Sequence, residues 1–275
     1  MFRNITLGQY YPVDSLIHKL DPRVKLLGVA IYIAALFIIN NIWGFIFVAA
    51  ILSCMISVSK VPLKYMLKGL RGILVLIILA VIFNLFSGDG DIIWQWWILK
   101  LTGQGILRAA FFALRLVCIV LGTGLLTYTT TPTTLTNGLE KVFSPLKVIH
   151  FPAHEIAMMM SIALRFIPIL ADEVNKIINA QLARGADFET GGILKKVRGL
   201  MPVLIPLFVS AFKRASDLAT AMEARCYHGG DGRTKMHPLK YQTADKISYV
   251  IILAFLAASI AARLLLNRYL PAGHI

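Results

Sequence analysis

Charged residues are scarce in this chain, since Asp, Glu, Lys and Arg together make up 15% of its 275 residues. A typical soluble domain has about 25%, whereas 57% of this sequence is hydrophobic. This composition excludes an ordinary soluble domain. It predicts an integral membrane protein built from apolar helices.

Acidic residues are the scarcer of the two signs, because 14 Asp and Glu stand against 28 Lys and Arg. An excess of cations can indicate nucleic-acid binding. Here, however, the cations lie mainly between apolar runs, which is the distribution that the positive-inside bias of membrane proteins produces. We therefore predict that the chain lies in a lipid bilayer and binds no nucleic acid.

Metal-binding patterns are also missing. No two of the three cysteines form a C-x-x-C pair (Cys54, Cys118 and Cys226), which argues against a zinc site or a disulfide framework. His150 and His154 are four residues apart, but Pro152 between them makes a shared helix face improbable. We expect no metal site in this chain.

The apolar runs predict an all-α fold with about five transmembrane helices. Their lengths are close to the roughly 20 residues that cross a bilayer as a helix, and they cover residues 24–39, 42–58, 72–86, 106–128 and 247–266. The segment between spans two and three contains only basic charges, which marks a cytosolic loop: Lys60, Lys64, Lys68 and Arg71. The loop 87–105 has tryptophans that favour the outer membrane interface: Trp94, Trp96 and Trp97.

The chain is expected to have three parts. Residues 1–128 form a membrane domain with four spans, residues 129–246 a cytosolic domain, and residues 247–275 the last span with a short tail. The cytosolic part carries 15 Lys and Arg with 10 Asp and Glu, yet its apolar residues recur at helical spacing. Its prolines predict a division into short helices: Pro145, Pro152, Pro168, Pro202 and Pro206.

Two stretches of the cytosolic part are predicted to form amphipathic helices. In residues 172–184 one apolar stripe recurs at helical spacing: Val174, Ile177, Ile178 and Leu182. In residues 211–225 a second stripe does the same: Phe212, Ala215, Ala219 and Met222. We expect both apolar faces to be buried on another surface.

Each of these helices is predicted to end on an alanine and an arginine. Ala183-Arg184 is followed by Gly185, which suits the left-handed residue after a helix. Ala224-Arg225 is followed by Cys226, which adopts that conformation at a higher cost than glycine. The second helix is therefore expected to continue to residue 228 and to stop at Gly229.

The two arginines have two readings. A cation in the last turn of a helix offsets the helix dipole, and one such arginine needs no further explanation. A planar guanidinium can also bind a carboxylate of a partner through two hydrogen bonds. Two Ala-Arg ends in one cytosolic segment favour partner binding.

The fourth span contains Arg108 and Arg115 on one face. A charge inside a span is costly and raises the question of a functional site. We favour the simpler interpretation, in which Arg115 binds a carboxylate or backbone carbonyls and orients the helix bundle.

Several segments resemble the transmembrane subunit (EcfT) of energy-coupling factor transporters, which are ABC-type importers of vitamins and metal ions. The similar segments cover nearly the whole chain in order and spacing: Ser15-Leu16-Ile17-His18-Lys19-Leu20-Asp21-Pro22-Arg23, Leu164-Arg165-Phe166-Ile167-Pro168, Ala180-Gln181-Leu182-Ala183-Arg184-Gly185-Ala186-Asp187-Phe188 and Ala221-Met222-Glu223-Ala224-Arg225. The second arginine motif departs from the family pattern, because Cys226 stands where the family has glycine.

The resemblance implies that the chain is the coupling scaffold of such an importer in the cell membrane of a prokaryote. Arg184 and Arg225 would each bind one of two P-loop ATPase subunits, with Ala183, Gly185 and Ala224 completing the contacts. The helices would pass ATP-driven movement to a separate membrane-embedded substrate-binding subunit, held on the apolar faces.

A nucleotide site is absent from the sequence, which contains no G-x-x-x-x-G-K-[ST] motif. We therefore expect a non-catalytic subunit without a cofactor, with ATP and Mg²⁺ bound by the partner ATPases. An integral-membrane enzyme, such as a lipid-phosphate transferase, is one alternative. It would need an aspartate cluster around the Ala-Arg pair, where only Asp187 is near. A stand-alone secondary transporter is another, and would need inverted repeats with buried ionisable residues in paired spans.

Overall fold

A computed structural model describes residues 8–39, 41–86, 92–96, 99–186, 192–229 and 238–269. The elements follow in chain order: α1 (Leu16–Lys19), α2 (Pro22–Ile38), α3 (Ile42–Ser59), α4 (Leu63–Arg71), α5 (Leu74–Phe86), β1 (Ile92–Trp96), β2 (Leu99–Thr102), α6 (Gly103–Thr129), α7 (Pro132–Phe143), a 3₁₀ helix (Ser144–Ile149), α8 (Ala153–Ala183), α9 (Ile193–Glu223) and α10 (Thr243–Tyr269). The predicted all-α membrane fold is confirmed, with one short hairpin as its only addition in the described residues.

The chain divides into two units, with one boundary inside α7 and the other before α10. We call residues 8–138 with 239–275 the membrane unit and residues 139–238 the arm unit. The membrane unit contains α1–α6, the hairpin and α10. The arm unit contains α8, α9 and the 3₁₀ helix.

Five helices of the described residues are long and apolar enough to cross a membrane, namely α3, α6, α8, α9 and α10. The bent pair α4 and α5 is a sixth candidate. Predicted spans two, four and five therefore coincide with α3, α6 and α10. Helix α2, the predicted first span, has 17 residues, close to the minimum that crosses a bilayer.

The segment between spans two and three is not the loop that we predicted. Residues 63–71 form helix α4, which meets α5 at an angle of 64°. We predicted a loop because the segment is rich in basic residues. The segment also has a helical pattern, since leucines recur at positions 63, 67 and 70. Such a pattern is typical of an amphipathic helix.

Three of the five prolines do not divide the arm unit, so that prediction is wrong. Pro168 lies inside α8, and Pro202 and Pro206 lie inside α9, each helix being 31 residues long. Proline removes one backbone hydrogen bond. The turns on either side of each proline keep their hydrogen bonds, so both helices continue. Only Pro145 and Pro152 lie at element boundaries.

The hairpin lies in the predicted outer loop. Strand β1 pairs antiparallel with β2, with Trp94 opposite Leu101 and Trp96 opposite Leu99. Trp97 and residues 270–275 of the predicted C-terminal tail lie outside the described residues.

The core of the membrane unit brings α2, α3 and α6 together. Leu36, Phe45 and Val48 are at most 1% exposed. The Tyr32 hydroxyl donates a hydrogen bond of 3.0 Å to the carbonyl of Cys118. The Tyr32 ring also occupies the space that a Cβ of Gly122 would need, so glycine lets α2 and α6 approach closely.

Arg115 binds a backbone carbonyl, as predicted. Its guanidinium donates a hydrogen bond of 2.9 Å to Ile39 at the end of α2, where helical carbonyls lack a partner within the helix. The guanidinium also lies 5.4 Å from the ring centre of Phe45 and 5.7 Å from that of Phe37. Arg115 therefore fixes α2, α3 and α6 relative to one another.

The beginning of α2 is held by polar contacts to two other helices. Asp245 of α10 is 2% exposed and accepts a hydrogen bond of 2.8 Å from the amide of Asp21. Lys25 donates one of 2.9 Å to the carbonyl of Thr129, at the end of α6. Burial lowers the pKa of nearby His18, although the carbonyl of Tyr11 partly opposes this effect. The segment Asp21-Pro22-Arg23 is thus a structural connection at one end of the spans.

Candidate docking site at two helix ends

Helix α8 ends as its sequence predicts. Arg184 is the C-cap residue, and Gly185 follows in the left-handed conformation with φ of 84°. The amide of Gly185 donates to the carbonyl of Leu182 at 3.0 Å, and the amide of Ala186 donates to that of Gln181 at 3.0 Å. These two bonds are a Schellman motif, so the backbone around Arg184 has a defined conformation.

Helix α9 ends in the same way, although glycine is absent. Cys226 adopts the left-handed conformation with φ of 54°. Its amide donates to Glu223 at 2.9 Å, and the amide of Tyr227 donates to Met222 at 3.1 Å. The expectation that the helix continues to residue 228 is therefore wrong.

A comparison of magnitudes explains why Cys226 is tolerated. The left-handed conformation costs a non-glycine residue roughly 1–2 kcal/mol. Each capping hydrogen bond contributes about 0.5–1.5 kcal/mol, and the motif makes two. The two capping hydrogen bonds therefore offset the strain at Cys226, and α9 ends at Glu223 in spite of the cysteine.

The two ends are equivalent along the chain. Residues 41 positions apart take the same place in each motif, so that Arg184 corresponds to Arg225 and Gly185 to Cys226. Both arginines are exposed. Among the described residues neither guanidinium has a hydrogen-bond or ion-pair partner, so both are open to an external ligand.

An ion pair joins α8 and α9 at equivalent positions as well. The guanidinium of Arg214 lies 2.9 Å from the carboxylate of Glu173, and each of these residues precedes its arginine by 11 positions. The side-chain amide of Gln181 also donates a hydrogen bond of 3.4 Å to the backbone carbonyl of Pro202. Together these contacts show that the two helices run antiparallel.

The antiparallel arrangement separates the two arginines. From the ion pair each helix continues for 11 residues in its own direction, which is about 16 Å at the helical rise. Arg184 and Arg225 are therefore about 30 Å apart, at opposite ends of the helix pair. They present two separate contact points of the same kind.

The predicted apolar stripes differ in exposure. On α8, Val174, Ile177 and Ile178 are half-buried and Leu182 is 51% exposed. On α9, Phe212 is 73% exposed, Ala215 and Ala219 are exposed, and Met222 is half-buried. The less exposed side of α9 is a different one, with Val203, Leu207, Arg214 and Leu218.

The sequence of residues 200–212 is apolar enough to contact lipid or a membrane partner, and the structure exposes much of this stretch on α9. We define the α9 apolar surface by six residues that are 41–73% exposed: Met201, Leu204, Ile205, Phe208, Val209 and Phe212. Their spacing of three and four residues places them along one side of the helix, which continues through Pro202 and Pro206. Contiguous apolar surface of this kind marks contact with another protein or with lipid.

The histidine pair makes no joint site. His150 lies in a left-handed turn with φ of 58°, whereas His154 contacts the carboxylate of Glu140 at 3.0 Å. Within the described residues, no three His, Cys, Asp or Glu side chains are grouped so that they could hold a metal ion. Asp187, the acidic neighbour of the first Ala-Arg pair, lies outside the described residues.

Comparison with known proteins gives one consistent family. A family model described as "CbiQ: Cobalt transport protein" matches residues 14–237. A protein of Clostridium kluyveri, named "Energy-coupling factor transporter transmembrane protein EcfT", is 50% identical over 266 residues, which cover 96% of this chain and 98% of the relative. The chain belongs to this EcfT family.

More distant relatives carry the same name. The EcfT of Bacillus subtilis is 42% identical over 94% of this chain and 97% of its own length. That of Lactococcus lactis subsp. cremoris is 43% identical over 91% of this chain and 95% of its own length. Membership in the EcfT family makes the chain a multi-pass membrane component of a transporter, rather than a catalytic enzyme.

Proposed function

We propose that this chain is the coupling scaffold of an energy-coupling factor importer, with Arg184 and Arg225 as its contacts to two ATPase subunits. The observation that carries the proposal is the shared pattern at the two helix ends, where the same two capping hydrogen bonds and a left-handed residue follow each arginine. Two equivalent ends, about 30 Å apart, fit two copies of one kind of partner, or two homologous partners.

The chemistry of the contact follows from the exposed guanidinium groups. Each can form a bidentate ion pair with a carboxylate in a groove of an ATPase subunit. Ala183 and Ala224 precede the arginines and are exposed, so their small side chains let a partner approach the helix end. Gly185 and Cys226 end the helix directly behind each arginine.

The ATP chemistry belongs to the partners in this proposal. P-loop ATPases bind ATP and Mg²⁺, while this chain binds neither, since its sequence has no phosphate-binding loop. Residues 129–246 then lie on the cytosolic side of a prokaryotic cell membrane, where the ATPases are. The 15 basic residues of that segment support this orientation.

The α9 apolar surface is the proposed contact to a membrane-embedded substrate-binding subunit. Its exposed Phe208 and Phe212 are large apolar groups of the kind that dominate protein interfaces. The predicted stripe of α8, with Val174, Ile177, Ile178 and Leu182, lies on the neighbouring helix. Movement of the ATPases would reach the substrate-binding subunit through α8 and α9, and would drive the uptake of vitamins or other micronutrients.

A double substitution tests the ATPase contacts. We expect Arg184→Ala with Arg225→Ala to abolish co-purification of the ATPases and substrate uptake in cells. Lys176→Ala with Lys213→Ala is the matched control, because it removes one exposed cation from each of the same helices. Full uptake by the arginine double variant, at equal membrane abundance, would refute the proposal.

A further inference from the structure

Helix α4 carries a cluster of basic side chains that the proposed function does not use. Lys64, Lys68 and Arg71 are exposed and follow one another at intervals of four and three residues, which places them on one side of the helix. Lys60, also exposed, lies in the turn before α4. The sequence has no Asp or Glu between positions 59 and 86, so no acidic side chain of α4 or α5 neutralises them.

The other sides of α4 fix its position on the membrane unit. Met66 is 2% exposed. The hydroxyl of Tyr128, near the end of α6, donates a hydrogen bond of 2.9 Å to the carbonyl of Tyr65. Gly69 lies against the same hydroxyl, which would be 3.4 Å from an added Cβ. The basic side of α4 is therefore held in a defined orientation relative to the spans.

An exposed apolar edge runs beside the basic side. Leu63 is 59% exposed and Leu67 is 55% exposed, one helical turn apart. Beyond Arg71 the chain bends by 64° into α5, a helix of 13 residues in which no residue is buried. With α5 in the predicted third span, a bend of 64° tilts α4 strongly towards the membrane plane, with leucines and cations side by side.

We propose that α4 is an interfacial helix that binds the headgroups of anionic phospholipids. Leu63 and Leu67 would enter the acyl boundary, while Lys64, Lys68 and Arg71 would extend their charged ends to the phosphates. A run of cations beside a span attracts acidic lipid strongly. Direct continuity with α5 favours lipid over an acidic protein, because the leucines of α4 extend the apolar surface of that span.

The proposal is tested with the purified full-length chain in vesicles. Leu67→Trp places a fluorescent reporter on the apolar edge. The vesicles contain equal amounts of phosphatidylcholine and phosphatidylglycerol, and bromine, a fluorescence quencher, is carried on the acyl chains of one lipid or of the other. The signal of the native tryptophans is subtracted with the protein that lacks the substitution.

We expect brominated phosphatidylglycerol to quench the reporter more strongly, with an enrichment of at least about fivefold, the factor for a single cation close to an anionic surface, because three cations contribute. Lys64→Gln, Lys68→Gln and Arg71→Gln together should bring the two lipids to equal quenching. The matched control, Lys141→Gln, Lys176→Gln and Lys213→Gln, removes three exposed cations elsewhere and should keep the preference.

Salt provides a second measurement that needs no change in the cations. Higher ionic strength screens exposed charges, so it should weaken the preference of the reporter for phosphatidylglycerol while leaving the helix content by circular dichroism unchanged. This measurement decides the matter if the triple variant does not fold.

Three results would overturn the proposal. Equal quenching by both lipids in the reporter protein would show an apolar contact without charge selection. A preference that survives both the triple substitution and salt would place the acidic-lipid site elsewhere. Absence of quenching by either lipid would show that α4 faces water or protein. Because no ATPase or substrate is present, these results are independent of the proposed coupling function.

Discussion

The ends of α8 and α9 differ at the residue that usually decides how a helix stops, yet they have the same structure. Gly185 and Cys226 both adopt the left-handed conformation, and both ends make the same two capping hydrogen bonds. The glycine lowers the cost of this conformation, but the capped carbonyls stabilise it in either case. The equality of the two ends therefore does not depend on the glycine.

The comparison extends beyond the caps. Glu173 and Arg214 occupy equivalent positions in the two helices and bind each other, so the helices cross at the same distance from their arginines. The surroundings are unequal, because all six residues of the α9 apolar surface are exposed, whereas only Leu182 of the α8 stripe is. The two helices thus have similar ends but differently exposed sides. This combination fits a scaffold that binds two similar partners at its ends and a different partner along one side.

Single substitutions of the arginines should have the largest effect and test whether the two ends are equivalent. We expect Arg184→Ala and Arg225→Ala to weaken binding of the ATPases to a similar extent, each by about 2–5 kcal/mol, the usual effect of removing one member of a buried charge pair. Affinity of the reconstituted chain for each purified ATPase subunit measures this. A loss for one arginine only would show that the two ends are not equivalent.

Substitutions of the two cap residues should change the stability of the helix ends by a smaller amount. Gly185→Ala should destabilise the end of α8 by about 1 kcal/mol, because alanine is strained at positive φ. Cys226→Gly should stabilise the end of α9 by about 0.5–1 kcal/mol, less than the full strain because glycine is more flexible when unfolded.

Amide hydrogen exchange provides the measurement for both cap variants. The amides of Gly185 and Ala186 should lose protection in the first variant, and those of residue 226 and Tyr227 should gain it in the second. Faster exchange at the end of α9 after Cys226→Gly would contradict our explanation of that cap.

The ion pair between the helices is expected to have the smallest effect. Its side chains are 40% and 28% exposed, so solvent screens the attraction and a coupling of about 0.5 kcal/mol is reasonable. A thermal-stability cycle with Glu173→Gln, Arg214→Gln and the double variant measures it. A coupling well above 1 kcal/mol would mean that the pair is more shielded than its exposure indicates.

Much of the fold was predictable because the long apolar runs, and the short polar segments between them, are visible directly in the sequence. The spans at α3, α6 and α10, the role of Arg115 and the cap at Gly185 agree with the sequence-based expectations. The errors have a common cause, since each applied a local rule without its surroundings. Prolines at 168, 202 and 206 were expected to end helices, whereas the neighbouring turns keep those helices continuous.

The packed side of α9 shows why periodicity alone was insufficient. Phe212, Ala215 and Ala219 recur at helical spacing and formed the predicted stripe, but these three are exposed. The side that lies towards α8 includes Arg214, a charged residue that the predicted apolar stripe does not contain. Its ion pair with Glu173 satisfies the charge, and only the meeting of two helices supplies that partner.

The sequence alone shows that this protein lies in a membrane, that most of its cations lie outside the spans, and that two helices end close to an arginine. These properties depend on hydrophobicity and on residues close in the chain. Tertiary structure decided which face of α9 packs, which carbonyl receives Arg115, and how Asp245 binds the beginning of α2. These contacts join residues far apart in sequence, where the geometry of approach, rather than local preference, selects the partner.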